Sequence, residues 1–290
     1  IPADQEILHI LTQEFVIDGQ DGIREPIGMS GMRLEVKTHI VTGAVSAAQN
    51  IVKCVRRCGL EVNDLVLQPL ASSYAVLSED EKDLGVCLID IGGGTTDIAV
   101  WTQGAIRHTS VIPIAGDQIT NDIAMALRTP TREAEDIKCK YGCALSQLAD
   151  VHQNIDVAGV DDRPSRSLSR RALADVIQPR VEELYELIQN ELRRAGFEEV
   201  LSSGIVLTGG ASVMPGMVEL GEEIFHMPVR LGNPKYQGSL ADVVQSPHFS
   251  TSFGLLLEAQ AQRKRGQKIQ EKQGIKDVFS SMKDWFVKNF

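Results

Sequence analysis

The chain of 290 residues is long enough to bury a sizeable core in more than one domain. Hydrophobic residues make up 43% of it and charged residues 23%, which excludes a disordered or fibrous protein. Acidic residues outnumber basic ones by 39 to 29, and a net charge of −10 argues against a nucleic-acid partner, whose phosphates require a basic surface.

Hydrophobic periodicity and glycine turns predict alternating strands and helices in the first half of the chain. They are a strand at 32–41, a helix at 47–58, a strand at 65–67, a helix at 71–77, three strands at 86–90, 97–102 and 105–112, and a helix at 118–128. The three strands are expected to form an antiparallel meander because short glycine-rich turns separate them. Ser72 and Ser73 are expected to cap a helix rather than to act as nucleophiles.

The second half is expected to be more helical and more polar. Its predicted elements are a loop near 157–167, an amphipathic helix at 171–194 interrupted by Pro179, a strand at 204–207, and a helix at 215–225. Residues 261–274 contain only Ala261 and Ile269 as aliphatic side chains, which predicts a flexible linker.

The stretch from Val86 to Val100 contains a buried strand, three successive glycines and a second strand. Glycines let the backbone approach a phosphate chain, and the exposed N–H groups and threonine hydroxyls can donate to its oxygens. Because a strand follows the glycines, a P-loop and a Rossmann fingerprint are both excluded; a plain hairpin turn is the alternative. The predicted phosphate-binding residues are Asp90, Gly92, Gly93, Gly94, Thr95, Thr96 and Asp97, of which Asp90 and Asp97 would hold Mg²⁺ through water.

A second glycine turn, Gly209-Gly210, lies between a predicted strand and a predicted helix. A flat base or a ribose can lie on bare backbone at such a junction, although many strand–helix junctions contain two glycines. The predicted binding residues here are Gly209, Gly210, Ala211 and Met214. Glu135 and Lys138 would by themselves be only a charged helix face.

Taken together, these residues resemble the ATPase domain shared by actin, DnaK-type chaperones and sugar kinases. The resemblance implies an α/β protein with the actin-like (ribonuclease H-like) fold, which binds ATP and Mg²⁺. In that superfamily the hairpin clamps the phosphates, the Gly-Gly turn holds adenosine, and a Glu-x-x-Lys pair, here Glu135 and Lys138, covers the base and ribose. The superfamily has an earlier hairpin that finds no counterpart here, so we expect the chain to lack an N-terminal part.

Motifs along the whole chain are similar to the FtsA family of bacterial cell-division proteins. They are the segments 7–18, 28–31, 90–100, 111–116, 140–144, 163–167 and 204–211. The resemblance implies the remainder of an inserted 1C-type subdomain at 1–63, the end of the first lobe at 64–83, subdomain 2A at 84–128 and 200–260, subdomain 2B at 129–199, a linker at 261–274, and a membrane-targeting amphipathic helix at 275–290.

The same resemblance implies a protein that anchors filaments of the tubulin-like division protein FtsZ to the cytoplasmic face of the inner membrane. Such a protein forms actin-like filaments, uses ATP mainly as an assembly ligand, and recruits later division proteins through its 1C-type subdomain. By resemblance, Arg180 and Glu183 contact the C-terminal tail of FtsZ. Solvated charges at a helix N-terminus are the alternative interpretation of this pair.

The last sixteen residues carry one continuous apolar helical stripe. Between residues 263 and 288 there are eight basic and three acidic side chains, so this part of an acidic chain is basic. A basic, aromatic amphipathic helix on a tether predicts an anchor at an anionic membrane surface, with a helix docked on its own domain as the alternative. The predicted membrane-binding residues are Ile275, Val278, Phe279, Met282, Trp285, Phe286 and Phe290.

Two other functions keep the same fold. A sugar kinase-like phosphotransferase or ATPase needs a catalytic base and a substrate pocket, and the sequence offers a candidate for neither, so no catalytic residue is assigned. A pilus-assembly adaptor would change only the partner. The six histidines show no nucleophile at a suitable spacing and are interpreted as structural or surface residues.

Overall fold

The computed structural model describes residues 1–159 and 164–264. It begins with an antiparallel sheet of three strands, in the order β2-β1-β3, followed by a helix. These elements are β1 (Gln5–Ile17), β2 (Gln20–Ile23), β3 (Leu34–Ala44) and α1 (Val45–Arg57). The predicted strand at 32–41 and the predicted helix at 47–58 are therefore confirmed within a few residues.

A second sheet of five strands has the order β10-β9-β4-β5-β6. Its strands are β4 (Val86–Ile91), β5 (Thr96–Thr102), β6 (Ala105–Ile112), β9 (Ile205–Thr208) and β10 (Val229–Leu231). Strands β4, β5 and β6 form the predicted antiparallel meander, whereas β9 pairs in parallel with both β4 and β10. Every residue of β4 is buried, as expected for a strand covered on both faces.

Helices cover both faces of this sheet. One face carries α2 (Gln68–Val76), and Phe253 of α9 (Ser250–Lys264) packs against the same cluster. On the other face the core is shared with α4 (Gly116–Leu127), α5 (Thr131–Tyr141), α6 (Arg170–Ala195) and α7 (Met217–Phe225). The remaining elements are α3 (Glu79–Leu84), α8 (Ala241–Val244), and the antiparallel pair β7 (Asn154–Val157) and β8 (Arg166–Ser169).

Helices α2 and α9 cross with their backbones in contact. A Cβ atom placed on Gly254 of α9 would lie 1.8 Å from the carbonyl oxygen of Ala71 in α2, so no side chain fits between the two helices there. Gly254 therefore sets the closeness of this crossing. Gly254 and Ala71 are buried.

Two predictions for the residues before β4 are wrong. Residues 65–67 belong to no strand, and the N–H of Leu67 instead donates to Nε2 of His9 at 2.9 Å. Ser72 and Ser73 do not cap a helix, because α2 begins at Gln68 and both serines are fully buried inside it.

Three further boundaries differ from the prediction. Helix α6 starts at Arg170 and runs through Pro179 without a break, so Arg180 and Glu183 lie in mid-helix rather than at a helix start. The predicted loop at 157–167 overlaps the end of β7 and the start of β8. Sequence did not predict these two strands because each has only four residues and a weak alternating pattern. Helix α9 extends to Lys264 over the start of the predicted linker, since alanine and glutamine are good helix formers.

Candidate nucleotide site

The glycine hairpin joins β4 to β5, and its tip is open to solvent. The N–H of Gly92 donates to the carbonyl of Thr95 at 3.0 Å, and Gly93, Gly94 and Thr95 are exposed. Behind the tip, Asp90 of β4 lies directly opposite Asp97 of β5. Their exposed fractions are only 2% and 6%. The hairpin therefore combines an accessible backbone with two buried carboxylates.

The N-terminus of α4 holds the hairpin in place. The N–H of Gly116 donates to the carbonyl of Gly92 at 3.1 Å, and the N–H of Asp117 donates to that of Gly93 at 2.7 Å. The Asp117 carboxylate also lies beside the hairpin, 3.3 Å from where a Cβ of Gly93 would be. Sequence reasoning did not assign Gly116 and Asp117 to the site. A glycine followed by an acidic residue after a short apolar run is nevertheless a usual way to begin a helix.

The Gly-Gly turn lies next to the hairpin. Strands β4 and β9 run parallel with Asp90 beside Thr208, which brings the residue after Thr208 against the first glycine site. Gly209 has φ +88°, and a Cβ there would lie 2.4 Å from the carbonyl oxygen of Ile91 and 2.5 Å from Oδ1 of Asp90. The structure thus brings together two glycine turns that are more than a hundred residues apart in sequence.

The residues after Gly209 border the same space. A Cβ on Gly210 would lie 3.1 Å from the ring of His248, and one on Gly116 would lie 3.5 Å from Cβ of Ala211. Met214 is buried with an exposed fraction of 9%. The sequence predicts only a structural or surface role for His248, because nothing in its sequence surroundings links it to a glycine turn.

Glu135 and Lys138 lie on α5 and form an ion pair at 2.7 Å. The Lys138 ammonium, 9% exposed, also donates to the carbonyl of Gly116 at 2.9 Å and to Oγ1 of Thr120 at 2.7 Å. Burial acts to raise the pKa of Glu135, but hydrogen bonds from Lys138 and Thr120 outweigh it and hold the pKa below its ordinary value. Two of the Lys138 contacts therefore join α5 to the start of α4, and the third is the ion pair with Glu135 within α5.

The two carboxylates behind the hairpin suit a magnesium–nucleotide complex. Burial, together with the charge of Asp90, raises the pKa of Asp97 to about 6, although a hydrogen bond from Thr95 opposes the shift. No group of three or more metal-ligating side chains occurs among residues 1–159 and 164–264. Two buried carboxylates fit Mg²⁺, which keeps several waters and binds one or two carboxylates plus phosphate oxygens.

Two hydroxyl groups, one from each of two helices, contact the carboxylate of Asp90 in strand β4. Oγ of Ser72, in α2, donates to Oδ2 of Asp90 at 2.6 Å, and Oγ1 of Thr251, in α9, lies 3.3 Å from the same oxygen. Sequence reasoning missed both contacts because these residues are 18 and 161 positions away from Asp90.

Arg180 and Glu183 form a separate cluster between α6 and α4. The Arg180 guanidinium binds both carboxylate oxygens of Asp122, with Nη2 3.0 Å from Oδ1, and its Nη1 donates to Glu183. The hydrogen bond to Asp122 raises the pKa of Arg180. About a quarter of the Arg180 side chain (27%) and half of the Glu183 side chain (51%) are exposed.

The predicted membrane-binding residues, from Ile275 to Phe290, lie outside the described residues, as do residues 265–274 of the predicted linker. In the part of the chain that the structure describes, no helix has the length and apolar character to cross a bilayer.

Comparison with protein families identifies two matching regions. The family described as "Cell division protein FtsA" matches residues 87–254, and the family described as "SHS2 domain inserted in FTSA" matches residues 1–42. The second match covers most of the three-stranded sheet and the first covers the five-stranded sheet with the hairpin.

Curated relatives extend these matches over nearly the whole chain. The chain is 66% identical over 257 residues to "Cell division protein FtsA" of Pseudomonas aeruginosa, and this match covers 89% of the chain and 62% of that protein. It is 51% identical to the protein of the same name from Neisseria meningitidis and 45% identical to that from Escherichia coli K12, covering 72% and 71% of their lengths. The chain thus spans somewhat less than two thirds to somewhat less than three quarters of these relatives.

Two solved structures share the fold at low sequence identity. One is titled "PilM-PilN type IV pilus biogenesis complex", with a TM-score of 0.65 at 18% identity over 89% of this chain and 67% of that chain. The other is MreB5 of Spiroplasma citri bound to ADP, with a TM-score of 0.61 at 16% identity over 89% of this chain and 90% of that chain. These likenesses confirm the predicted actin-like fold.

Proposed function

The chain belongs to the FtsA family of cell division proteins, and we propose that it is a nucleotide-dependent adaptor that anchors FtsZ filaments to the cytoplasmic face of the inner membrane. It binds ATP with Mg²⁺, assembles into actin-like filaments, and contacts other division proteins through its 1C-type part at residues 1–63. The nucleotide part of this proposal rests on one observation: the glycine hairpin at 92–94 and the turn at Gly209 lie next to each other.

ATP binding is supported by the chemistry on the two sides of this convergence. The hairpin offers an exposed glycine backbone and threonine hydroxyls to the phosphates, with Asp90 and Asp97 behind it for Mg²⁺. Gly209, Gly210, Ala211 and Met214 provide the surface for adenosine, and Glu135 with Lys138 borders it. When bound, Mg²⁺ would neutralise charge on the phosphates and on the two aspartates.

Membrane attachment is supported by the sequence of the last sixteen residues. Seven large apolar side chains at about 1.5–3 kcal/mol each give a gross gain on the order of 10–20 kcal/mol for full burial. Partial burial and the ordering of the helix remove much of this gain, so a single tail binds reversibly. A filament that presents many tails binds far more firmly, because each further tail attaches at high effective concentration.

Contact with the C-terminal tail of FtsZ is proposed through Arg180 and Glu183. A guanidinium recognises a carboxylate by paired hydrogen bonds. In the unbound chain Asp122 and Glu183 already occupy the Arg180 guanidinium, so a partner carboxylate has to replace the more exposed of the two, which is Glu183. We expect Glu183 to turn towards solvent or towards the partner on binding.

Flotation with vesicles tests the adaptor function. Purified FtsZ is mixed with this protein and anionic liposomes, in parallel with a Trp285→Glu/Phe286→Glu variant. We expect FtsZ to float only with the unmodified protein. If the protein floats without FtsZ, the partner assignment is wrong; if the protein does not float, the membrane assignment is wrong.

Nucleotide binding needs its own test, which is titration of the protein with a fluorescent ATP analogue in the presence of Mg²⁺. Gly93→Val places a branched side chain at the open tip of the hairpin, beside Asp117, and should abolish binding without unfolding the core. Gly59→Val is a control outside the site: Gly59 lies after α1, with φ +76° and open space around the position of its Cβ, and its replacement should leave ATP binding unchanged. Equal binding by the wild type and the Gly93 variant would refute the assignment.

A further inference from the structure

Asp90 receives two hydroxyl groups at a single carboxylate oxygen. Oγ of Ser72 and Oγ1 of Thr251 lie 2.6 Å and 3.3 Å from Oδ2, and the two hydroxyl oxygens are 2.9 Å apart. Ser72 is fully buried and Asp90 is 2% exposed. The three residues belong to α2, α9 and β4, so this small network joins three elements behind the glycine hairpin.

The Ser72 side chain behaves unlike that of its neighbour in the same helix. A serine inside a helix commonly returns its hydroxyl to the carbonyl four residues earlier, and Ser73 does so with Pro69 at 2.6 Å. Ser72 instead directs its hydroxyl out of the helix to the carboxylate of Asp90. Its orientation is therefore set by the carboxylate and not by the helix.

The two oxygens of Asp90 have different surroundings as a result. Oδ2 is held by the two hydroxyls, whereas Oδ1 lies on the side of the Gly209 turn, 2.5 Å from where a Cβ of that glycine would be. A carboxylate fixed at one oxygen cannot rotate freely, so the other keeps a constant direction between the two glycine turns. Such support from neighbouring hydrogen bonds is the usual means of orienting a group that binds a metal ion.

We propose that Ser72 and Thr251 are positioning residues that fix the Asp90 carboxylate for binding of magnesium–nucleotide, and that Thr251 thereby links helix α9 to the occupancy of the site. This inference rests on the proposed nucleotide function. Helix α9 is the last described element before the basic C-terminal segment, so a link at Thr251 connects the hairpin to the end of the protein that is proposed to bind membrane.

A purely structural role would produce a different result in a binding experiment. Two hydroxyls that only satisfy a buried carboxylate would stabilise the fold, and their loss would weaken nucleotide binding equally with and without Mg²⁺. Positioning of Asp90 for the ion predicts a loss of affinity that depends on Mg²⁺. The ratio of ATP affinities in Mg²⁺ and in EDTA separates the two roles.

The experiment titrates full-length protein with a fluorescent ATP analogue, in Mg²⁺ and in EDTA. The variants are Ser72→Ala and Thr251→Val, with Thr251→Ser as the conservative variant and Ser73→Ala as the control. Ser73 is equally buried in α2, but it bonds Pro69 and Trp101 and not Asp90. For Ser72→Ala we expect the affinity for the ATP analogue to fall about tenfold in Mg²⁺ and to change little in EDTA. A tenfold loss of affinity is what one lost hydrogen bond to a charged group produces.

The other variants define the remaining outcomes. Thr251→Val should lose several-fold in Mg²⁺, and Thr251→Ser should retain wild-type affinity because it keeps the hydroxyl. Ser73→Ala should leave the ratio of the two affinities unchanged. If Ser72→Ala fails to fold, the comparison of Thr251→Val with Thr251→Ser decides the question, because Thr251 is only half-buried.

Two results would overturn the proposal, and they differ from each other. Equal losses in Mg²⁺ and EDTA, or unchanged binding in the Thr251→Val variant, would show that the hydroxyls do not position Asp90 although the nucleotide site is real. Absence of ATP binding by the wild-type protein would overturn the nucleotide function itself, and the positioning role with it.

Discussion

Replacing Gly209 by alanine should damage both the fold and the nucleotide site. Its φ of +88° and ψ of 166° lie in a region open essentially only to glycine, and forcing another residue there costs about 1–3 kcal/mol. The added Cβ would also lie 2.4 Å from the carbonyl oxygen of Ile91, and such overpacking against backbone costs about 1–3 kcal/mol more. We expect the free energy of unfolding to fall by about 2–6 kcal/mol, a large part of a typical total.

Urea unfolding followed by circular dichroism measures this loss, and titration with ATP measures the effect on binding. Gly196→Ala is the matched control, because Gly196 also has positive φ (+78°) but has open space around the position of its Cβ. It should lose only about 1 kcal/mol and bind ATP normally. Equal losses in the two variants would refute the reasoning, because the close contact with Ile91 and Asp90 would then carry no cost.

Three other predictions follow from contacts and charges. Gly254→Ala should lower the free energy of unfolding by at least about 2 kcal/mol in urea titrations, because its Cβ would collide with the backbone of Ala71. Asp97→Asn should raise the melting temperature of the metal-free protein above pH 6 and leave it unchanged at pH 4. Because the pKa of Asp97 is raised to about 6, the folded wild type loses stability as the pH rises from about 4 to 6, whereas asparagine stays neutral. Asp122→Asn should tighten binding of an FtsZ C-terminal peptide several-fold, because it releases Arg180 from Asp122, and Arg180→Ala should weaken that binding. Fluorescence anisotropy measures both affinities. Weaker binding by the Asp122 variant and tighter binding by the Arg180 variant would exclude Arg180 as the anion-binding residue.

The elements that the sequence predicts well are those whose pattern is local and long. The meander of β4, β5 and β6 could be predicted because each strand is bounded by glycine or turn residues, and β4 and β5 have apolar interiors. The actin-like fold could be predicted because two glycine turns and one acidic–basic pair resemble those of a known superfamily. The strand predictions depend on neighbours in sequence and the fold prediction depends on this resemblance, and the structure and the comparisons confirm both.

The errors occur where distant parts of the chain determine the conformation. Residues 65–67 are apolar enough for a strand, but the N–H of Leu67 is bound by His9, more than fifty residues earlier. Pro179 is tolerated within α6 because the helix is held on both sides of the proline by buried residues such as Ile177 and Val181. Ser72 is read as a cap by its residue type alone, whereas its hydroxyl is bound by Asp90.

The crossing of α2 and α9 explains why the Asp90 network exists where it does. Thr251 and Gly254 are three residues apart on α9 and therefore share one face, and this face lies against Ala71 and Ser72 of α2. Because Gly254 lets the two backbones touch, the short threonine side chain one turn earlier can reach both Ser72 and Asp90. An alanine at position 254 would push the helices apart and lengthen these contacts, so its loss of stability should be accompanied by a loss of Mg²⁺-dependent ATP affinity. Stability lost with an unchanged dependence on Mg²⁺ would separate the crossing from the site.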